Sequence, residues 1–146
     1  MSSLVSDDLR ERVARRADHL CEYCLVHEQD GFLSFQVDHI ISLKHGGRSE
    51  WENLAFACAF CNRRKGSDVG TVSPATGHFL RLFNPRTDIW SEHFRLAGAR
   101  IDALTEMGAG TARILGFNDS DRLLERHSLV AVGRYPTLEA LAQIRV

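Results

Sequence analysis

Four cysteines in two close pairs constrain this chain more than any other feature. Cys21-Glu-Tyr-Cys24 and Cys58-Ala-Phe-Cys61 each have the spacing that turns two thiolates toward one point. Four thiolates form the tetrahedral set that zinc takes in structural roles, so Cys21, Cys24, Cys58 and Cys61 are expected to hold one zinc ion. The segment between the pairs is long enough for a strand, a loop and a return strand. Two alternatives are weaker: four unligated core thiols, and a redox centre, for which one pair would suffice. The start of the chain, Met-Ser-Ser-Leu-Val-Ser-Asp-Asp, lacks the basic and apolar regions of a signal peptide. No apolar run approaches the roughly 18 residues that span a membrane. A cytoplasmic protein without membrane contact is the expectation, and paired cysteines in a reducing compartment read as metal ligands rather than disulfides.

The segment enclosed by the cysteines carries a second chemistry. Leu33, Phe35 and Val37 alternate with polar residues, the pattern of a half-buried strand. At its end stand Asp38 and His39, a hard oxygen ligand beside an imidazole that can take a proton at neutral pH. A polar loop with Gly46-Gly47 follows, closed by Asn53, whose side chain could bond loop backbone and fix the imidazole. Leu54 to Ala57 reads as the return strand, and Ala59 to Lys65 as a short helix ended by Gly66 in the left-handed cap position. Neighbours on a helix point about 100° apart, so Cys61 can reach the zinc while Asn62 faces the strand that bears Asp38. Adjacent strand residues face opposite sides, so Asp38 and His39 can act at one point only where the strand ends or twists. The other histidines have no partner visible in the sequence.

Charge gives a modest signal for a phosphate partner. The chain of 146 residues has a formal net charge of −1, with 44% hydrophobic and 25% charged residues, a soluble globular composition that favours one domain. From Gln36 to Lys65, five basic residues (Lys44, Arg48, Arg63, Arg64, Lys65) face three acidic ones, a local +2. Ahead of this window a helix is expected from Asp7 to about Leu20, after a disordered stretch over residues 1–6. Its apolar face is Leu9, Val13, Ala17 and Leu20, and Arg10, Arg12, Arg15 and Arg16 lie opposite. That basic face reads as solvated surface or as a phosphate-contacting helix. After Gly66 the composition predicts a loop, an apolar stretch at His78–Phe83, strands over Ile89–Leu96 and Ala99–Leu104, helices over Gly110–Leu115 and Asp121–Val132, and a last amphipathic turn from Leu138.

Taken together, Val-Asp-His-Ile-Ile, Gly-Gly, Glu-Asn-Leu and Cys-x-x-Cys-Asn-x-x-Lys make residues 19–68 resemble the HNH endonuclease family. The resemblance covers about a third of the chain. It implies an α+β fold: a ββα-metal core with a structural zinc knuckle, preceded by an N-terminal helix and followed by an α/β C-terminal extension. It implies that His39 is the general base, that Asp38 and Asn62 hold a catalytic Mg²⁺ or Mn²⁺, and that Asn53 orients the base. Asn62 stands where the eponymous pattern has histidine, as it does in similar nucleases that use asparagine there. The expected organisation is a single domain over 1–146, with residues 7–68 as helix and nuclease core and 69–146 as support. The expected function is metal-dependent hydrolysis of DNA phosphodiester bonds, with DNA ahead of RNA as partner and Arg63, Arg64, Lys65, Lys44 and Arg48 on its phosphates. The rival readings are a non-catalytic zinc module that binds nucleic acid and a protein-interaction zinc knuckle. Both leave Asp38, His39 and Asn62 together unexplained.

Overall fold

In the computed structural model residues 5–144 are described. The expected disorder over residues 1–6 falls largely outside them. Helix α1 (Asp7–Arg16) starts at Ser6, whose hydroxyl accepts from the Leu9 amide, with Asp7 and Asp8 in the positive first turn. It stops short of Leu20 because Asp18 and His19 take positive φ of 53° and 59°. The apolar period nevertheless continues in space, since Ala17 and Leu20 are both buried.

The knuckle of Cys21–Cys24 comes next. Its turn is closed by the Leu25 amide donating to the Cys21 carbonyl at 2.9 Å and the Cys21 amide donating to Val26 at 2.8 Å. Leu25 sits at φ 69°, a conformation a leucine holds only when its surroundings fix it. Strand β1 (Gln36–His39) pairs antiparallel with β2 (Leu54–Ala57), setting Asp38 opposite Ala55 and His39 opposite Leu54. The ladder begins later than the alternation suggested: Phe35 is buried, Leu33 exposed. Helix α2 (Ala59–Lys65) is capped by Cys58, whose sulfur accepts the Cys61 amide at 3.3 Å. Gly66 ends it at φ 52°, ψ −128°, a positive-φ position but not the left-handed cap expected. Strand, return strand and helix thus form a ββα unit.

Among the described residues, the C-terminal part builds two further antiparallel hairpins and four helices. Strands β3 (Gly70–Val72) and β4 (Phe79–Arg81) pair across a stretch expected to be loop. A Cβ on Gly70 would lie 2.2 Å from the Phe79 ring, so the close pairing requires glycine there. The expected strand over Ile89–Leu96 divides into a helical turn, α3 (Trp90–His93), and β5 (Phe94–Ala97), which pairs with β6 (Arg100–Ala103). Helices α4 (Glu106–Leu115), α5 (Ser120–Ala131) and α6 (Leu138–Ile144) follow.

One buried cluster runs from Val13 and Ala17 through the cysteines and β2 to Trp90, Phe94, Phe117, Tyr135 and Ala140. Polar groups cross the same seam. The Trp90 indole donates to the Tyr23 carbonyl at 2.9 Å, and the Tyr135 hydroxyl to the Cys24 carbonyl at 2.8 Å. The C-terminal elements therefore hold the knuckle's backbone directly. Among the described residues no helix is long and apolar enough to cross a membrane.

Candidate metal centre and active site

The two Cys-x-x-Cys turns meet. The sulfurs of Cys21, Cys24, Cys58 and Cys61 all lie within 4.8 Å of one another and all four residues are buried. Cys24 Sγ is 3.8 Å from Cys58 Sγ. A tetrahedron with sulfur about 2.3 Å from zinc has edges of about 3.8 Å, so the cluster fits the ion expected there. The Cys24 amide adds a 3.4 Å bond to Cys21 Sγ.

A cleft of about 440 Å³ is lined by Asp38, His39, Ser42, Lys44, Asn62 and Arg10 among others. Asp38 and His39 both remain in the β1–β2 ladder, Asp38 buried and His39 half-buried, and both border the cleft. His39 Nε2 lies 2.8 Å from Ser49 Oγ, a partner that no pattern in the sequence marks. Burial pulls the imidazole below its ordinary pKa, against the opposing charge of Asp38, and favours the neutral ring. Asn53 braces the loop rather than touching the ring: its Nδ2 donates to Ile41 and Arg48 carbonyls, both at 2.9 Å, and its Oδ1 accepts the Ile41 amide. The backbone packs so closely there that a Cβ on Gly47 would lie 1.6 Å from the Ile41 carbonyl oxygen. Only glycine fits, which is the physical content of one glycine in the Gly-Gly pair.

Asp38 is only 3% exposed. Tyr23 donates to its Oδ2 at 2.6 Å, and the Lys65 ammonium lies 3.3 Å from Oδ1 and 3.2 Å from Oδ2. Burial pushes the carboxyl up from its ordinary pKa, against the pull of Lys65 and Tyr23. Oδ1 has Lys65 as its partner and retains an acceptor site. Asp38 and Asn62 both border this cleft.

The basic run divides. Lys65 is 1% exposed and also donates to the His39 and Ile40 carbonyls at 3.0 and 3.1 Å. The phosphate contact expected of Lys65 is therefore corrected: its charge is spent inside the protein on Asp38 and the backbone beside His39. Arg64 pairs with Asp119 at 2.5 Å, half exposed, and Arg63 lies exposed with its guanidinium 5.5 Å from the Phe60 ring. Arg48 pairs on the surface with Glu50 at 3.1 Å, and Lys44 borders the cleft. On α1, Arg16 is half-buried and engaged, since it stacks 3.8 Å from the Trp51 ring centroid and donates to the Trp51 and Leu54 carbonyls.

Removing Lys65 leaves a buried carboxylate without its cation. Lys65→Ala is expected to cost about 3–5 kcal/mol in urea unfolding, the range for breaking a buried pair from one side. A cost below about 1 kcal/mol would contradict the pairing.

Residues 21–68 match the family model for HNH endonucleases. The Septu protein PtuB of Bacillus thuringiensis is 23% identical over 130 residues, which span 88% of this chain and 48% of that protein. The chain thus spans about half the length of that curated relative. No solved structure matches it significantly. The ββα unit, the buried four-cysteine cluster and the family match fall on one stretch, and residues 21–68 are an HNH endonuclease domain.

Proposed function

We propose that the chain is a metal-dependent endonuclease that hydrolyses phosphodiester bonds of DNA in the cytoplasm. One observation carries the reading: Asp38, His39 and Asn62 line a single open cleft beside the basic residues Arg10 and Lys44. Residues 7–68 carry the chemistry, and 69–146 support them within one domain. Asp38 and Asn62 would hold a Mg²⁺ or Mn²⁺ ion, which would supply positive charge for a scissile phosphate and its leaving oxygen. His39 is the general base. In the tautomer whose Nε2 donates to Ser49 Oγ, Nδ1 would hold the lone pair that takes the proton from the attacking water. Asn53 keeps the loop that carries Ser49 in register with β1. Lys65 holds Asp38 and the carbonyls of His39 and Ile40, which fixes the strand end.

A non-catalytic nucleic-acid-binding module is the second reading, and the Lys65–Asp38 pair favours it, because an internal cation already meets the carboxylate. Supercoiled plasmid separates the two. The enzyme nicks or linearises it with Mg²⁺ or Mn²⁺ and stops when EDTA is added. Retarded but intact plasmid in every arm supports the binder.

Phosphate contacts are expected at Lys44 and Arg63, which remain exposed. Replacing either with alanine should weaken DNA binding uniformly across sequences and lower the log–log salt slope by about 1. The same change at Arg48, held by Glu50 away from the cleft lining, should leave the slope nearer the wild-type value. Unchanged slopes for Lys44→Ala and Arg63→Ala would return both residues to ordinary surface.

A further inference from the structure

A zinc ion with four thiolates carries a net charge of about −2, and burying it uncompensated is unfavourable. The compensation comes from far along the chain. Arg122, near the start of α5, reaches the cluster with its Nη2 3.4 Å from Cys61 Sγ and 3.7 Å from Cys58 Sγ. The residue is only 4% exposed. Its Nη1 donates to the Leu115 carbonyl at 3.1 Å, and its guanidinium lies 5.4 Å from the Phe60 ring centroid. Among the described residues those two sulfurs and that carbonyl are the guanidinium's hydrogen-bond partners; the Asp121 carboxylate takes only the Arg122 backbone amide, and no carboxylate forms an ion pair with the guanidinium. A buried guanidinium needs an anion, and here its nearest candidates are cysteine sulfurs.

We propose that Arg122 is the charge-compensating partner of the four-cysteine zinc site, supplied across the fold by the C-terminal part of the chain. The inference rests on zinc at the cysteines and is independent of the nuclease reading. Two effects follow. Donation from Nη2 withdraws electron density from Cys58 and Cys61, which makes these thiolates less reactive. It also ties α5 to the metal, so that the extension completes the centre that the knuckles begin.

The competing explanation is that Arg122 only caps the C-terminal end of α4 through Leu115. Three preparations decide between them: wild type, Arg122→Gln and Arg122→Lys. Zinc content of the wild type is measured first, and a zinc-free folded wild type overturns the proposal together with the zinc reading. Zinc affinity is then measured by chelator competition. Outer partners of metal ligands typically contribute 10- to 100-fold in affinity, so Arg122→Gln is expected to lose about that much and Arg122→Lys less. In cobalt-substituted protein the thiolate-to-metal charge-transfer bands should move to lower energy in Arg122→Gln, and alkylation of the cysteines should quicken. Lower thermal stability with unchanged affinity and unchanged cobalt bands assigns Arg122 to the α4 cap and overturns the proposal. Where Arg122→Gln does not fold, Arg122→Lys decides: a point charge in place of the fork shifts the cobalt bands, and unmoved bands overturn it.

Discussion

Cys58→Ser is expected to give insoluble or unfolded protein, and stripping zinc from the wild type is expected to unfold it. Cys58 has three roles at one point. It belongs to the four-cysteine cluster that fits zinc, its sulfur caps α2 by accepting the Cys61 amide, and it joins β2 to that helix. The four cysteines sit within the buried cluster that α1, β2 and the C-terminal aromatics share, so a metal held there would lie at the junction of the fold. Binding of structural zinc is folding free energy, about 10–16 kcal/mol in small zinc domains, against a total stability of about 5–15 kcal/mol for an ordinary domain. Serine is a poor zinc ligand and leaves an unpaired hydroxyl in an apolar site. Elemental analysis and circular dichroism before and after chelation check this. A metal-free preparation with native dichroism and an unchanged unfolding midpoint would contradict it.

The second large effect separates base from ligand in the cleft. His39→Ala removes the proton acceptor and leaves Asp38 and Asn62 in place, so the variant should fold, keep zinc, bind DNA and keep its affinity for Mn²⁺. Its cleavage should fall by about 10²- to 10⁴-fold, the usual cost of losing a general base. Asp38 needs a gentler change, because alanine there would strand the Lys65 ammonium in the core. Asp38→Asn keeps the shape and loses the charge. It should lose cleavage and Mn²⁺ affinity together, and Asn62→Ala should follow Asp38→Asn rather than His39→Ala. Calorimetric titration of Mn²⁺ into each variant, beside plasmid cleavage rates, reads both quantities. Equal metal affinity in all three variants would remove Asp38 and Asn62 from the metal site.

Much of the nuclease half was legible because its patterns are local. Paired cysteines announce convergence through spacing alone, and the run Leu54–Ala57 followed by Cys58 and closed by Gly66 marks a strand and helix whose observed bounds agree. The burial of Lys65 was misread because two exposed arginines precede it. A signal existed: Lys65 lies four residues after Cys61, on the same inward face of α2. Arg16 carries a similar mark, three residues after the buried Val13 on α1. Strand β3 is three residues long and begins with glycine, so alternation had too little length to show. Ser49 beside His39 and Arg122 beside Cys61 are long-range or loop contacts that no periodicity records. They become visible only when the fold closes.

On the proposed function, the cleft of Asp38, His39 and Asn62 cuts DNA. Its sharpest test is the plasmid cleavage rate of zinc-loaded, folded His39→Ala beside wild type in the same Mg²⁺ or Mn²⁺ buffer. Efficient wild-type cleavage and a variant slower by at least about 100-fold are expected. Equal rates in the two proteins would contradict it and place the chemistry outside this cleft.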